Sequence, residues 1–168
     1  IKLRPWQNDC VKKSLKWLIE DREDKHFVIN AAPGSGKTIT ACVIADELLE
    51  KDEIDRVVVI APRKKIASQW AKDFKFVTNR FMGKITSSDP DASDYGYDFV
   101  ITWQSVGGLT DALDQLCKDY RVLVICDEHH HAAQEAAWGD GANTGLSKAK
   151  LSLILTGTPI RSDGKDTV

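Results

Sequence analysis

Short apolar runs alternate along the chain with longer stretches in which apolar residues recur every three or four positions. The short runs predict strands that are buried on both faces, and the longer stretches predict amphipathic helices. This alternation is typical of an α/β fold with a mainly parallel sheet and helices on both faces. The predicted strands are residues 27–30, 56–60, 99–102, 122–126 and 151–155.

Apolar residues recur at helical spacing in four stretches, one before the first predicted strand and the others between strands. A helix is predicted to begin near Pro5, and others over residues 38–49, around Trp70, and from Val106 to Leu116. Trp70 lies on an apolar stripe at a spacing of four, which predicts a core position rather than a base-stacking one. Residues 87–98 carry four aspartates with a proline and a glycine, and we predict an exposed loop there.

Composition limits the classes of protein to which the chain can belong. It has 168 residues, of which 42% are hydrophobic and 29% charged, enough for one compact domain. The net charge of -2 means that bulk positive charge is not the means of binding nucleic acid, so any such surface must be local. The sequence has no apolar stretch of membrane-spanning length and no secretion signal at its start, which predicts a soluble, cytoplasmic protein without a membrane partner.

The four cysteines lie in apolar segments and form no CxxC pair. This pattern predicts buried thiols rather than a disulfide framework or a zinc site. The cysteines are Cys10, Cys42, Cys117 and Cys126.

A phosphate-binding loop is predicted over residues 31–38 (Ala-Ala-Pro-Gly-Ser-Gly-Lys-Thr), which follow a strand and open a helix. Glycines in this position let backbone N–H groups surround a phosphate at a helix N-terminus. Lys37 supplies a charge toward the β and γ phosphates, and the Thr38 hydroxyl can ligate Mg²⁺. The cofactor-binding residues of the loop are Pro33, Gly34, Ser35, Gly36, Lys37 and Thr38.

Two carboxylates, Asp127 and Glu128, follow the most apolar predicted strand, at the sheet edge where parallel sheets bind ligands. One carboxylate can hold Mg²⁺ while its neighbour orients or deprotonates the attacking water. We assign the metal to Asp127 and the water to Glu128. Capping of the next segment is the alternative for both, and a zinc site formed by Cys126 and the histidines at 129–131 is a second alternative.

Taken in order, these segments resemble the first RecA-like domain of a superfamily 2 helicase or translocase of the DExH type. The resemblance covers nearly the whole chain, 1–168. It rests on residues 3–7 (Q motif), 33–38 (motif I), 59–70 (motif Ia), 101–104 (Thr-x-Gln), 127–130 (motif II) and 155–159 (motif III). Residues 155–161 and the histidine pair after Asp-Glu are most similar to the XPB-like and restriction-enzyme-like branch of double-stranded DNA translocases.

The resemblance implies ATP and Mg²⁺ as ligands. It implies that Gln7 and Arg4 recognise the adenine, and that Lys37, Asp127, Glu128 and His130 form the catalytic group. His130 would link the state of the γ-phosphate to motif III, and the coupling residues there are Thr156 and Thr158.

The resemblance also implies a nucleic-acid partner. Pro62 and Arg63 in motif Ia, with Thr102 and Gln104, would contact the backbone of one strand, so binding would weaken with salt and carry no base information. Double-stranded DNA is the favoured substrate and RNA the alternative. Arg63 stands where many members have threonine, so a direct contact from its guanidinium to phosphate is not inherited from the pattern.

The chain starts without Met and ends at Val168 soon after motif III, which predicts a fragment that lacks the second RecA-like domain. In the family that domain completes the site with arginine fingers, so the isolated chain is expected to bind ATP weakly and hydrolyse it slowly or not at all. Two rival functions remain at this stage: a small-molecule kinase with a P-loop, and a nucleotide-gated interaction module without turnover.

Overall fold

The computed structural model of the chain describes residues 2–31, 36–86, 97–127 and 148–157. Its strands are β1 (His26–Asn30), β2 (Arg56–Ala61), β3 (Met82–Ile85), β4 (Asp98–Thr102), β5 (Val122–Asp127) and β6 (Leu151–Thr156). Its α-helices are α1 (Pro5–Leu15), α2 (Lys37–Glu50), α3 (Lys64–Thr78), α4 (Trp103–Val106) and α5 (Thr110–Asp119). A π-helical turn (Lys16–Glu20) extends α1, and a 3-10 turn (Gly107–Leu109) joins α4 to α5.

The strands form one parallel sheet in the order β1-β6-β5-β2-β4-β3. The predicted α/β class with a parallel sheet is therefore confirmed. Since all the strands run in one direction, their carboxyl ends meet at a single edge. Ala61 pairs with Thr102 there, and Asp127 pairs with Leu155. This edge is where open parallel sheets place their ligands.

Alternate residues of the central strands enter different cores, as the pleat of a strand requires. Val57 and Val59 of β2 lie in a core that also contains buried residues of α1, α2 and α3. Val58 and Ile60 lie in a second core with residues of α4 and α5. In β5, Leu123 and Ile125 belong to the first core, while the even-numbered positions belong to the second. By this alternation, Asp127 is on the α1–α3 side.

The amphipathic pattern of α3 is confirmed. Trp70 and Phe74 are fully buried in the first core, and Lys64, Lys65 and Lys72 are exposed. Arg63 precedes the helix as its N-cap residue in extended conformation, and Asn79 ends it with φ = 62°. Asparagine is among the few non-glycine residues that tolerate this left-handed conformation at a helix end.

Three parts of the sequence prediction differ from the structure. The single helix predicted from Val106 to Leu116 is divided, since Val106 ends α4 and the 3-10 turn precedes α5. β3 was not predicted, because its sequence Met-Gly-Lys-Ile is short and interrupts the apolar pattern. Asp98 was placed in the exposed acidic loop, but it is the buried first residue of β4. Its carboxylate accepts hydrogen bonds from Arg80 and from the backbone N–H of Val57, which makes its burial tolerable. Tyr97, the preceding residue of that loop, is exposed as predicted, and residues 87–96 lie outside the described residues.

All four cysteines are free thiols, and the predicted burial is confirmed for all except Cys117. Cys10, Cys42 and Cys126 are buried and Cys117 is half-buried. Burial raises the pKa of Cys10 to about 11 and that of Cys126 to about 12, so both are protonated at neutral pH. Among the helices in the described part of the chain, none has the length and apolar character needed to span a membrane.

Candidate nucleotide-binding site

The predicted nucleotide-binding residues that the structure describes lie at the carboxyl edge of the sheet. α2 begins at Lys37, directly after Gly36, whose φ of 97° is a left-handed conformation that glycine adopts without strain. The first N–H groups of a helix have no partner within the helix, and the start of α2 is therefore suited to holding a phosphate. Three predicted residues of the loop fall outside the described ranges: Pro33, Gly34 and Ser35.

Lys37 and Asp127 form a buried ion pair at this edge. Lys37 Nζ lies 3.7 Å from Asp127 Oδ1, and the two side chains are 8% and 4% exposed. The fold thus brings the charge predicted for the phosphates next to the carboxylate predicted for the metal. Thr38, the other predicted metal ligand, is half-buried in the first turn of α2. Carboxylate and hydroxyl oxygens are the hard donors that Mg²⁺ prefers, so these residues fit a magnesium-nucleotide complex.

Two tryptophan indoles also contact Asp127. Trp70 Nε1 donates a hydrogen bond to Asp127 Oδ2 at 2.7 Å, and Trp103 Nε1 donates one to the backbone carbonyl of Asp127 at 3.1 Å. Trp70 belongs to the core on the α1–α3 side and Trp103 to the core on the α4–α5 side. The indoles therefore approach Asp127 from opposite faces of the sheet.

Sequence reasoning missed both contacts. The apolar stripe of α3 correctly predicts that Trp70 is buried, but a stripe contains no information about the partner of the indole N–H. For Trp103, the sequence predicts only that a buried indole N–H has some hydrogen-bond partner. Its acceptor is a backbone carbonyl 24 residues away, which any residue type at position 127 would supply.

Gln7, which is predicted to read adenine, is buried against the start of α2. Its Nε2 donates a hydrogen bond to the carbonyl of Gly36 at 3.0 Å, and its Oε1 accepts one from the backbone N–H of Arg4 at 2.7 Å. The Gly36 carbonyl also accepts hydrogen bonds from the backbone N–H and the hydroxyl of Thr40. The structure therefore joins the Q motif segment to the phosphate loop. Adenine contacts of Gln7, and of the exposed Arg4, stay predictions.

The residues predicted to contact nucleic acid follow or end the adjacent strands β2 and β4. Arg63 and Gln104 are exposed, and Pro62 is half-buried. Thr102 is only 3% exposed, and its hydroxyl donates a hydrogen bond to Ser105 Oγ at 3.1 Å. The fold thus places these residues at one edge, as the motif order predicts, with Thr102 directed into the protein.

The remaining predicted residues belong to β6 and to the segments that follow β5 and β6. Thr156 ends β6, and its backbone carbonyl accepts a hydrogen bond from the N–H of Ala31 at 3.0 Å. Glu128, His130 and Thr158 lie outside the described residues, as do the histidines of the zinc alternative. Within the described part of the chain, no group of three or more His, Cys, Asp or Glu side chains is arranged to hold a metal ion.

A cavity of about 360 Å³ lies far from this site, between α5 and strands β2 and β4. Arg56, the first residue of β2, lines it together with apolar side chains of α5. The guanidinium of Arg56 stacks on the rings of Tyr97 and Tyr120, at 4.6 and 3.9 Å from their centroids. The cavity is at the amino end of β2, whereas Asp127 is at the carboxyl edge, so it is not part of the candidate site.

The parallel sheet, the helix that begins at Lys37 and the carboxylate at the end of β5 are the elements of a RecA-like domain. Its sequence relatives show the superfamily 2 helicase type. Over residues 1–161 the sequence matches the family described as the Type III restriction enzyme, res subunit, and the chain belongs to that family.

Two curated proteins illustrate the sequence relationship. ML1624, an uncharacterized protein of Mycobacterium leprae (strain TN), is 32% identical over 163 residues, covering 97% of this chain and 26% of that protein. The ATP-dependent RNA helicase DHX58 of Mus musculus is 27% identical over 159 residues, covering 88% of this chain and 22% of that protein. The chain thus spans about a quarter of the length of these relatives.

One solved structure illustrates the likeness in fold. It is a nuclease-deletion mutant of the Type ISP restriction-modification enzyme LlaGI in complex with a DNA substrate mimic. It matches with a TM-score of 0.70 and 23% sequence identity, over 97% of this chain and 18% of the LlaGI chain.

Proposed function

We propose that this chain is the ATP-binding motor domain of a nucleic-acid-dependent ATPase, and that the protein containing it moves along double-stranded DNA. The observation that carries the ATPase assignment is the Lys37–Asp127 pair beside the left-handed Gly36 at the start of α2. An ammonium group, a carboxylate and a helix N-terminus together suit a triphosphate with its magnesium ion. Membership of the restriction-enzyme res family supports the motor class.

In the proposed reaction, Lys37 and the first N–H groups of α2 hold the β and γ phosphates. Asp127 and Thr38 would hold Mg²⁺, which would neutralise charge on the phosphate oxygens. Glu128 orients the attacking water and accepts its proton. His130 links the state of the γ-phosphate to motif III. Thr156 and Thr158 of that motif couple this state to the bound nucleic acid.

The proposed track lies across the carboxyl ends of β2 and β4. Arg63 and Gln104 are exposed at these adjacent ends, where they can reach a phosphodiester backbone. DNA is favoured because the similar LlaGI chain is described with a DNA substrate mimic. The preference for double strands comes from the resemblance of residues 155–161 to double-stranded DNA translocases. RNA is the second candidate, and the match to the mouse RNA helicase supports it.

The proposal includes a second RecA-like domain in the same protein. Arginine fingers from such a domain stabilise the charge of the transition state and contribute large factors to the rate. The isolated 168 residues are therefore expected to bind ATP weakly and to turn it over slowly or not at all. A clear turnover by this chain alone that is abolished in Lys37→Ala would contradict the requirement for a second domain.

The test is ATP hydrolysis by the full-length protein with duplex DNA, single-stranded DNA, duplex RNA or no polymer. Stimulation by duplex DNA that is lost in Glu128→Gln supports the proposal. Stimulation by RNA alone supports the second candidate. Equal rates with and without every polymer point to a kinase-like enzyme, and nucleotide binding without any hydrolysis points to a nucleotide-gated module.

The exposed contacts can be tested separately from hydrolysis. Arg63→Gln and Gln104→Ala should each weaken binding to duplex DNA. Only Arg63→Gln should also reduce the salt dependence of binding, because only a cationic side chain displaces counterions from the DNA backbone. Lys72→Gln is the matched control, because it also removes one positive charge. Lys72 is exposed in the middle of α3, the helix that Arg63 precedes. A loss of affinity in Lys72→Gln as large as that in Arg63→Gln would argue against a specific backbone contact.

A further inference from the structure

The two oxygens of the Asp127 carboxylate have different neighbours: Oδ1 faces the Lys37 ammonium beyond hydrogen-bond distance, and Oδ2 accepts a hydrogen bond from Trp70. Lys37 Nζ lies 3.7 Å from Oδ1, and the Trp70 indole donates to Oδ2 at 2.7 Å. Both Trp70 and Asp127 are buried, so water cannot readily replace the indole as the donor. A hydrogen bond to an ionised acceptor is shorter and stronger than one between neutral groups. The direction of the carboxylate plane is therefore set by the ring of Trp70.

The backbone of Asp127 is held from the other face. Trp103 Nε1 donates to the Asp127 carbonyl at 3.1 Å, and the Trp103 ring packs in the core on the α4–α5 side. Two large, rigid side chains on opposite faces of the sheet thus converge on a single residue. Each buried indole N–H needs an acceptor, and both have one on the same residue, so Asp127 is fixed between the two rings.

Both rings belong to segments at the predicted nucleic-acid edge. Trp103 lies directly between Thr102 and Gln104. Trp70 lies in α3, about 9 Å along the helix from its first residue, Lys64, which follows Arg63. The groups that position Asp127 are therefore carried by the two elements whose ends are predicted to contact the polymer.

We propose that Trp70 and Trp103 are positioning residues, which hold the carboxylate and the carbonyl of Asp127 in the orientation that ligation of Mg²⁺ requires. This inference rests on the proposed function, because it takes Asp127 to be the magnesium ligand. Groups that hydrogen-bond to a metal ligand without touching the metal orient it and commonly affect metal affinity by tenfold or more. Trp70 has the larger role, since its N–H contacts the ligating group itself.

The test is the Mg²⁺ dependence of nucleotide binding by the full-length protein, followed with a fluorescent, non-hydrolysable ATP analogue without nucleic acid. Trp70→Phe retains an aromatic ring but removes the N–H. We expect the half-saturating Mg²⁺ concentration to rise about tenfold, with little change in nucleotide affinity in the absence of Mg²⁺. Trp103→Phe should shift it in the same direction by about threefold, because its acceptor is the backbone carbonyl.

Trp17→Phe is the matched control. Its indole N–H also bonds to a backbone carbonyl, that of His26 at 2.8 Å, but at the amino end of β1. It should leave the Mg²⁺ dependence unchanged. If Trp70→Phe does not fold, as judged by circular dichroism and thermal unfolding, replacement of Trp70 by benzothienylalanine tests the same N–H in a ring of nearly the same shape.

The outcomes separate this inference from the proposed function. If the wild type shows Mg²⁺-dependent nucleotide binding and the folded Trp70 variants match it, the positioning role is wrong and the proposed function stands. An equal loss of nucleotide affinity with and without Mg²⁺ would assign Trp70 a structural role only and also overturn the inference. If the wild type binds no nucleotide at all, both proposals fail.

Discussion

The side-chain amide of Gln7 donates a hydrogen bond to the carbonyl of Gly36 at 3.0 Å, which ties the first turn of α1 to the start of α2. A Cβ atom at Gly36 would lie 2.6 Å from Gln7 Nε2, closer than real Cβ contacts allow. The positive φ requires glycine at this position, whereas the Gln7 amide, at the end of a flexible side chain, would shift and lose its hydrogen bond to the Gly36 carbonyl.

Gly36→Ala should lower the free energy of unfolding by about 2 kcal/mol and weaken nucleotide binding. A left-handed backbone costs a non-glycine residue about 1–2 kcal/mol, and displacement of Gln7 adds to this cost. Urea unfolding and nucleotide titration measure the two effects. Gly107→Ala is the control, since the φ of Gly107 is −62° and alanine should change stability by less than about 1 kcal/mol there. Adding Gln7→Ala to Gly36→Ala should restore only the stability lost through the contact with Gln7. Restoration of the full wild-type stability would mean that the left-handed backbone of residue 36 carries no cost for alanine.

Lys37→Met should destabilise the fold as well as abolish phosphate binding. It removes the ammonium 3.7 Å from a carboxylate that is 4% exposed, and loss of one partner of a buried pair costs on the order of 3 kcal/mol. Chemical denaturation without nucleotide measures this directly. In the Lys37→Met background, Asp127→Asn should restore part of the stability, because it removes the buried charge. No recovery in the double variant would mean that the pair has little energetic coupling.

Arg80→Met should destabilise the protein by about 3 kcal/mol without altering the nucleotide site. The guanidinium contacts Asp98 at 2.8 and 3.2 Å, and the Asp98 side chain is 1% exposed at the amino end of β4. Removal of the arginine leaves a buried carboxylate without its positive partner, which lowers the free energy of unfolding. Removal of one partner of an exposed ion pair changes that free energy little. Arg22→Met, which breaks the exposed pair with Glu53, is the control and should cost less than about 1 kcal/mol. Equal losses in both variants, or altered nucleotide affinity in Arg80→Met, would contradict the structure.

The stability of the fold should fall in acid partly through Asp55. Side-chain and backbone hydrogen bonds from Arg121 lower the pKa of Asp55 to about 2. Because this pKa is below that of the unfolded chain, near 4, the contribution is complete above about pH 4 and is lost as the pH falls toward 2. The pair is partly exposed, so added salt should reduce the effect. Unfolding free energies of wild type and Asp55→Asn between pH 2 and 6 measure it. If the difference in unfolding free energy between the two proteins stays constant across this range, Asp55 does not contribute to the acid sensitivity.

The strands of the sheet centre could be predicted because each is an apolar run that is buried on both faces. β5 (Val122–Asp127) is the clearest case, since its buried positions are apolar until the final aspartate. β3 (Met82–Ile85) could not be predicted in this way, because a four-residue strand with a glycine and a lysine has no readable period. Asp98 was misplaced for a related reason: a charged residue is read as exposed unless its partner, here Arg80, is known.

The sequence by itself determined which chemical groups the site contains. The spacing of glycine, lysine and threonine after a strand, and an acidic pair after another, depends on local backbone geometry that neighbouring residues specify. The tertiary structure alone decided which groups touch. Trp70 and Asp127 are 57 residues apart, and Gln7 and Gly36 are 29 apart. Contacts of this kind depend on strand order and on the face to which each side chain is directed, and a one-residue change in register would send Asp127 to the other core.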